Sequence, residues 1–233
     1  MNFGVVVFPG TWSDADFQHV IADVLHQPVR YVWHRDTDLA GLDCVILPGG
    51  FAYGDYLRAG AVAARSPVMG ALARFVDHGG LVLGSCNGFQ ILCEASLLPG
   101  ALMRNEGLQY RCQVVHLRVE NANTPFTRGL GPGKVVTMPI SHGEGRYHAE
   151  ADTLRRLRDR GQVVFRYATA DGLEHPTANP NGSLDNIAGI INEEGNVLGM
   201  MPHPERSAEA VLGGTDGLSI FHSLLEEGAF ARR

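Results

Sequence analysis

The first half of the chain alternates short apolar runs with stretches typical of helices. Phe3–Phe8 is apolar except for one glycine and stops at Pro9-Gly10, which predicts a buried strand. Asp14–Leu25 is predicted to be a helix, with Ser13 as its N-cap. Further strands are predicted over Val29–Trp33, Asp43–Leu47 and Leu81–Gly84, and further helices over Val68–His78 and Gly88–Ala95.

The second half is richer in strands. They are predicted over Gln113–Val119, Val135–Ile140, Val163–Tyr167, Ile187–Asn192 and Val197–Met201, before a final helix over Gly217–Glu227. Leu154 and Leu157 lie among the charges of Arg155–Arg160, so that run is interpreted as a solvated helix face. Apolar strands alternating with helices predict an α/β fold with a mostly parallel central sheet and helices on both faces.

The composition is that of one compact domain. The chain has 233 residues, 45% hydrophobic and 19% charged, with no linker, so a single domain over residues 1–233 is expected. The formal net charge of −6 provides no basic surface for nucleic acid. No apolar run is long enough for a membrane span, and the N-terminus lacks the basic segment of a signal peptide. The four cysteines show no CxxC spacing, which favours a reducing, cytoplasmic compartment.

One cysteine follows a buried strand directly. Leu81–Gly84 leads through Ser85 into Cys86, and Gly88 follows two residues later. This pattern is typical of a nucleophile elbow, a sharp strand-to-helix turn that exposes the nucleophile at the end of the sheet. The helix N-terminus favours the reactive thiolate, and the N–H of Asn87 is predicted to face a developing oxyanion.

The alternative is that Cys86 is a small buried side chain, and the residues of the turn leave both interpretations open. Cys44 lies in a predicted strand and Cys93 lies two helical turns after Cys86, so both are expected to be structural. Cys112 is undecided between these roles, with a structural one favoured.

A thiol nucleophile needs a base, and the base needs a group that orients it. His203 and Glu205 follow a predicted strand at i and i+2, and in an extended segment such residues point the same way. Pro204 disfavours helix at His203 and has a fixed φ of its own. We therefore expect Glu205 to hold the imidazole while its other nitrogen faces Cys86, although a surface loop with an ordinary histidine has the same local pattern.

The cysteine turn and the later His-Pro-Glu together resemble the class I glutamine amidotransferase family from end to end. Gln90 matches the family's C-x-G-x-Q, in which that glutamine helps to seat the substrate's side chain. Pro48-Gly49-Gly50 matches the strand end that supplies a second oxyanion N–H, at or just after Gly50. The resemblance implies that Cys86, His203 and Glu205 form the catalytic triad of a glutaminase.

Longer motifs are similar to those of one branch of that family, the glutaminase subunits of phosphoribosylformylglycinamidine synthase in purine synthesis. They are Gly49–Gly60, Pro139–Tyr147 and Gly199–Arg206, with shorter matches at Phe8–Thr11 and Asn179–Ser183. The chain departs from many relatives at Trp12-Ser13-Asp14, where Asn-Cys-Asp is common. That departure affects no catalytic position but makes an interface at this loop uncertain.

By the same resemblance, Ser141, His142 and Gly143 lie near the α-amino and α-carboxylate groups of bound glutamine; a structural hydrogen-bonding role is the alternative for His142. The chain contains no phosphate-binding loop and a single lysine, so we expect no cofactor on this chain and ATP and magnesium on a partner. The resemblance names the partners as a large synthetase subunit and a small accessory subunit. Two other functions remain: a different cysteine hydrolase that shares the elbow, in which a histidine commonly follows the nucleophile, and an inactive regulatory subunit. Asn87 after the nucleophile argues against the first, and the intact triad against the second.

Overall fold

A nine-stranded sheet forms the centre of the molecule. The structure is a computed structural model that describes residues 1–230. The strands are β1 (Phe3–Val7), β2 (Val29–Trp33), β3 (Cys44–Leu47), β4 (Leu81–Ser85), β5 (Ala101–Met103), β6 (Arg111–Val119), β7 (Val135–His142), β8 (Arg146–His148), β9 (Val163–Ala168), β10 (Ile187–Ile191) and β11 (Val197–Met200). The α-helices are α1 (Asp14–His19), α2 (Pro67–Asp77), α3 (Asn87–Glu94), α4 (Ala151–Asp159) and α5 (Leu218–Phe230).

The strand order is β2-β1-β3-β4-β11-β10-β9-β6-β7. Every neighbouring pair from β2 to β11 is parallel, and every pair from β11 to β7 is antiparallel. Only β6 and β10 run against the other strands of the sheet. The prediction of an α/β fold with a mostly parallel sheet is therefore confirmed. Because β3, β4 and β11 are parallel neighbours, the segments that follow them meet at one edge, where sites of such sheets are usually built.

Helices cover both faces of the sheet, as predicted. On one face α1 and α5 pack together, and the rings of Phe17 and Phe221 lie 6.1 Å apart in an edge-to-face contact. On the other face α2 and α3 bury Leu72, Phe89 and Leu92 completely. Each such buried side chain contributes about 1.5–3 kcal/mol, so the two apolar layers hold the sheet as a rigid platform.

The first helix differs from its predicted form. α1 ends at His19, and Val20–Val24 continues as a π-helical turn. Ser13 occupies the N-cap position, but its side chain makes no capping hydrogen bond. Its hydroxyl instead accepts from the Arg206 guanidinium at 3.0 Å, so the expected capping role is wrong. Arg206, which is distant in the chain, therefore bonds to the Ser13 hydroxyl in place of a backbone N–H of α1.

The charged run near residue 155 behaves as predicted. In α4, Leu157 is fully buried and Leu154 packs against the core, while Arg155 pairs with Asp152 at the surface. Two strands were not predicted: β5 and β8 pair as a separate small antiparallel sheet. Within residues 1–230, no helix is both long and apolar enough to cross a lipid bilayer.

Candidate active site

Cys86 occupies a strained turn between β4 and α3. Its φ of +52° and ψ of −107° are costly for a residue with a side chain, by about 1–3 kcal/mol. The glycines on either side are required by close packing. A Cβ at Gly88 would lie 1.9 Å from the carbonyl oxygen of Leu47, and one at Gly84 would lie 2.5 Å from Leu92 Cδ1. The turn therefore brings the cysteine to the end of the sheet only with this glycine spacing.

His203 and Glu205 meet beside this turn, at the end of β11. The His203 N–H donates to the carbonyl of Pro139 at 2.9 Å, which anchors the segment to β7. Nδ1 of His203 lies 2.6 Å from Oε1 of Glu205, and both side chains are buried. His203 itself is extended, as Pro204 predicted, but the expected extended segment through Glu205 is wrong, because Pro204–Arg206 forms a 3-10 turn closed by the Arg206 N–H on the His203 carbonyl. The turn folds the carboxylate back onto the ring.

The surroundings of His203 favour its charged form. Burial by itself lowers its pKa, but the charge of Glu205 and the neighbouring thiol of Cys86 together raise the pKa above the ordinary value. Ser85, for which sequence analysis proposed no role, donates from its hydroxyl to Oε2 of Glu205 at 3.4 Å. The Nε2 atom of His203 is buried and bonds to no oxygen or nitrogen of the described residues, and the Cys86 thiol is its neighbour.

A pocket of about 240 Å³ opens onto these side chains. It is lined by Trp12, Ser13, Gly50, Phe51, Cys86, Tyr110, Ser141, His203 and Arg206. A larger cavity of about 520 Å³ lies where β3 and β4 begin, at the opposite edge of the sheet, and none of the predicted site residues lines it. Within residues 1–230 no group of three or more His, Cys, Asp or Glu side chains could hold a metal ion. The smaller pocket is therefore the candidate active site.

Gly49 and Gly50 form one wall of the pocket after β3. Gly50 has a φ of +149°, and a Cβ there would lie 2.7 Å from the carbonyl oxygen of Gly10. The Gly49 carbonyl accepts from the N–H groups of Trp12 and Ser13, at 3.0 and 3.1 Å. The Phe51 N–H donates to the Gly10 carbonyl at 2.9 Å, whereas the Gly50 N–H has no partner among the described residues. The second oxyanion donor was predicted at or just after Gly50. Of Gly50 and Phe51, only Gly50 has a free N–H.

Gln90 lies on α3 but not in the pocket lining. Its Nε2 donates to the carbonyl of Glu144 at 2.5 Å, and its Oε1 accepts from Nδ2 of Asn87 at 2.8 Å. Gln90 therefore links α3 to the segment after β7. Its expected contact with the substrate's side chain stays a prediction.

The segment Ser141–Gly143 is only partly in the pocket. Ser141 lines it, and its carbonyl accepts from Cys86 Sγ at 3.6 Å. His142 is buried beside the pocket, with Nδ1 3.1 Å from Oδ1 of Asn105, and burial together with the charge of His203 lowers its pKa to about 4. His142 is therefore neutral at pH 7. The Gly143 carbonyl accepts from the Asn105 N–H at 2.9 Å.

Several pocket residues had no predicted role. Nη2 of Arg206 donates to Ser13 and its Nε donates to Asp16 at 3.1 Å, which leaves the third nitrogen for a ligand. Trp12 and Phe51 are exposed and make an edge-to-face contact with ring centres 6.5 Å apart. Arg206 directly follows His-Pro-Glu in the chain, which was the available signal, whereas Trp12 and Phe51 meet only in the folded molecule.

The loop Gly49–Gly60 beside the pocket is strained. Tyr53, Asp55 and Leu57 have φ values of 55°, 55° and 71°. Burial, followed by the nearby carboxylate of Glu144, raises the pKa of Asp55 to about 6, against a lowering by the hydrogen bond from Asn87. Both features are typical of a segment that stores energy near a functional site.

The remaining cysteines are not in the pocket. Cys44 and Cys93 are buried, and burial raises the pKa of both thiols, so they are unreactive as expected. Cys112 is exposed on β6. Cys86 is thus distinguished by its turn and by its histidine neighbour.

Comparison with known proteins decides the family. A model of the CobB/CobQ-like glutamine amidotransferase domain matches residues 2–214. The PurQ subunit of phosphoribosylformylglycinamidine synthase from Moorella thermoacetica is 59% identical over 226 residues, covering 97% of this chain and 96% of that protein. The chain belongs to the PurQ family of glutamine amidotransferases. The PurQ subunit from Koribacter versatilis is 56% identical over 233 residues and covers 100% of both chains.

A solved structure has the same fold as this PurQ family member. PurLQS from Thermotoga maritima is 42% identical with a TM-score of 0.87, and the match covers 97% of this chain and 98% of that chain. The resemblance inferred from the motifs is therefore confirmed, and the chain is an enzyme of the glutamine amidotransferase class.

Proposed function

We propose that this chain hydrolyses L-glutamine through a thioester on Cys86, with His203 as general acid and base and Glu205 as its orienting group. Membership of the PurQ family makes the chain a glutaminase subunit of phosphoribosylformylglycinamidine synthase, an enzyme of purine biosynthesis. The observation that carries the catalytic assignment is the buried His203–Glu205 pair, 2.6 Å long, beside a cysteine in a strained strand-to-helix turn. We interpret that turn as a nucleophile elbow.

Each step needs one of these groups. The Cys86 sulfur, its proton held by His203, attacks the amide carbon of glutamine and turns the carbonyl oxygen into an oxyanion. When the oxyanion collapses, the C–N bond breaks and His203 protonates the departing ammonia. His203 then takes a proton from water, which attacks the thioester and releases glutamate and the free thiol.

In this proposal two backbone N–H groups hold the oxyanion. The Asn87 N–H is at the first turn of α3, where N–H groups have no partner within the helix. The Gly49 carbonyl is held by Trp12 and Ser13, and the N–H of Gly50 points the opposite way across the same planar peptide. These geometries support a hole made by Asn87 and Gly50. Gln90, Ser141, His142 and Gly143 would then shape the remainder of the substrate site.

The ammonia is consumed elsewhere. Displacing an amide oxygen requires activation, so ATP and magnesium are assigned to the large synthetase subunit, and a small accessory subunit completes the cytoplasmic complex. The Thermotoga maritima neighbour is PurLQS. The exposed Trp12 and Phe51 at the pocket mouth support the docking of a partner there. In this proposal the whole chain acts as a single domain.

The test is Cys86→Ala in the complex with the synthetase. Glutamine-dependent synthesis should be abolished while synthesis from added ammonium is kept, because the two half-reactions lie on different chains. Cys112→Ser is the matched control: it changes an exposed cysteine outside the pocket and should leave both activities unchanged. Near-normal glutamine hydrolysis by Cys86→Ala would show that the nucleophile is another group.

A further inference from the structure

The side chain of Asn87 connects the two walls of the active site. It is buried, with 1% of its surface exposed. Its Oδ1 accepts from the Ala52 N–H at 3.1 Å, and its Nδ2 donates to Oε1 of Gln90 at 2.8 Å and to Oδ1 of Asp55 at 3.4 Å. Every polar atom of the amide therefore has a partner, two of them in the loop after β3.

The direction of this network is determined by its ends. The Glu144 carbonyl can only accept, so Nε2 of Gln90 must face it and Oε1 must face Asn87. Asn87 therefore presents Nδ2 to Gln90 and turns Oδ1 toward the loop, where the Ala52 N–H can only donate. A side-chain amide, with both a donor and an acceptor, is the group that this position requires.

The contact to Ala52 bears on the second oxyanion donor. Gly50 is two residues earlier in the same strained loop. The loop is held after Gly50 at Phe51, by the Gly10 carbonyl, and at Ala52, by Asn87. The backbone N–H of Asn87 is the first donor, so one residue supplies that donor and holds the strand end that carries the other.

We infer that Asn87 is a positioning residue: its side chain sets the spacing of the two oxyanion donors, the backbone N–H groups of Asn87 and Gly50. This inference rests on the proposed function, because it concerns the hole used in glutamine hydrolysis. The oxyanion exists only after Cys86 has attacked, so a misplaced Gly50 N–H weakens the transition state more than the bound substrate. Loss of one such donor costs about 10²- to 10³-fold in kcat, and a displaced donor should cost about 10- to 10²-fold.

The experiment uses Asn87→Ala in the complex with the synthetase. Both its kcat and its KM for glutamine are measured, together with the rate at which iodoacetamide inactivates the glutaminase. Iodoacetamide alkylates sulfur by displacing iodide and forms no oxyanion, so its rate reports the Cys86–His203 pair alone. We expect kcat to fall 10- to 10²-fold, KM to change less than threefold, and inactivation to stay within twofold of the parent.

Asn196→Ala is the matched control. Asn196 is also a buried amide hub, bonded to Asn192 and to the carbonyls of Val76 and Gly80, but it lies before β11, away from the pocket. Asn196→Ala should lower the melting temperature about as much as Asn87→Ala does, but it should leave kcat unchanged. If Asn87→Ala does not fold, Asn87→Ser is measured in the same way.

Equal losses of kcat in the two alanine variants, or a parallel fall in the inactivation rate, would overturn the inference. A kcat within twofold of the parent would overturn it as well. Failure of the proposed function is recognised separately, since Cys86→Ala would then still hydrolyse glutamine.

Discussion

Replacing Glu205 by glutamine tests the orienting carboxylate directly. The shape of the side chain is kept while its charge is removed from a buried contact of 2.6 Å with Nδ1 of His203. The amide group can also turn its NH₂ toward Nδ1, which would place the ring proton on Nε2, the nitrogen that must accept a proton from the thiol. The substitution therefore affects both the charge and the tautomer of the imidazole.

The structure places the expected effect in the upper part of the usual range. Glu205 and His203 are 1% and 2% exposed, so solvent cannot replace the lost charge. The corresponding change in a serine-protease triad lowers kcat by about 10⁴. Here we expect about 10²- to 10⁴-fold, which corresponds to about 3–5 kcal/mol of transition-state stabilisation. The pKa of His203 should also fall, because the charge of Glu205 raises it.

The assay compares glutamine hydrolysis with synthesis from ammonium in the same complex. Ammonium-dependent synthesis serves as the internal control for folding and docking. Ser85→Ala removes a hydroxyl that lies 3.4 Å from the far oxygen of Glu205 and 3.3 Å from the carbonyl of Pro202, and it should cost a factor of about ten or less, the value of one neutral hydrogen bond. If Glu205→Gln kept full turnover while His203→Ala lost it, the orienting role would be rejected.

Three further predictions follow from the same geometry. Gly49→Ala should lower turnover about 10²-fold, because its methyl group would lie 2.7 Å from Cε1 of the buried His203. Gly70→Ala is the control: it lies at an open helix position and should raise the free energy of unfolding by about 0.5–1 kcal/mol. Asp55→Asn should stabilise the protein more at pH 8 than at pH 5 in urea unfolding. The raised pKa of Asp55, about 6, means that the wild type loses stability as pH rises through that value, and equal effects at both pH values would contradict this. Finally, glutamine turnover should rise about 5- to 150-fold when the synthetase and accessory subunits are added, because docking can settle the strained loop Gly49–Gly60; unchanged turnover would refute this gating.

Local sequence was sufficient to predict the candidate active site because the geometry of that site depends on residues close together in the chain. A buried strand, a cysteine and two glycines are typical of such a turn, and the close contacts of Gly84 and Gly88 leave no room for a side chain at either glycine. His203 and Glu205 are near each other in the chain, so their pairing was predictable even though the segment is a 3-10 turn and not extended. The strand periodicity likewise predicted all nine strands of the main sheet, with ends shifted by a residue or two.

Tertiary structure decided the features that depend on distant partners. The hydroxyl of Ser13 had a local capping role available, but folding placed Arg206 beside it. Gln90 matched a substrate-binding motif, yet its amide bonds to Asn87 and to Glu144, and Glu144 is 54 residues away in the chain. The orientation of β6 and β10 also had no local signal, since a strand has the same apolar pattern in either direction.

The chain by itself therefore predicted the candidate nucleophile, its candidate base and the α/β architecture, because turn sterics and short-range spacing are properties of a few consecutive residues. Which N–H groups face the pocket, and what holds them, was decided only when β3, β4 and β11 came together. The Gly50 N–H stays free while the Gly10 carbonyl accepts from the next N–H, that of Phe51, and the loop that carries both is held to α3 because Oδ1 of Asn87 accepts from the Ala52 N–H. Hydrogen-bond partners far apart in sequence compete for the same few donors, and only the folded chain decides which of them pair.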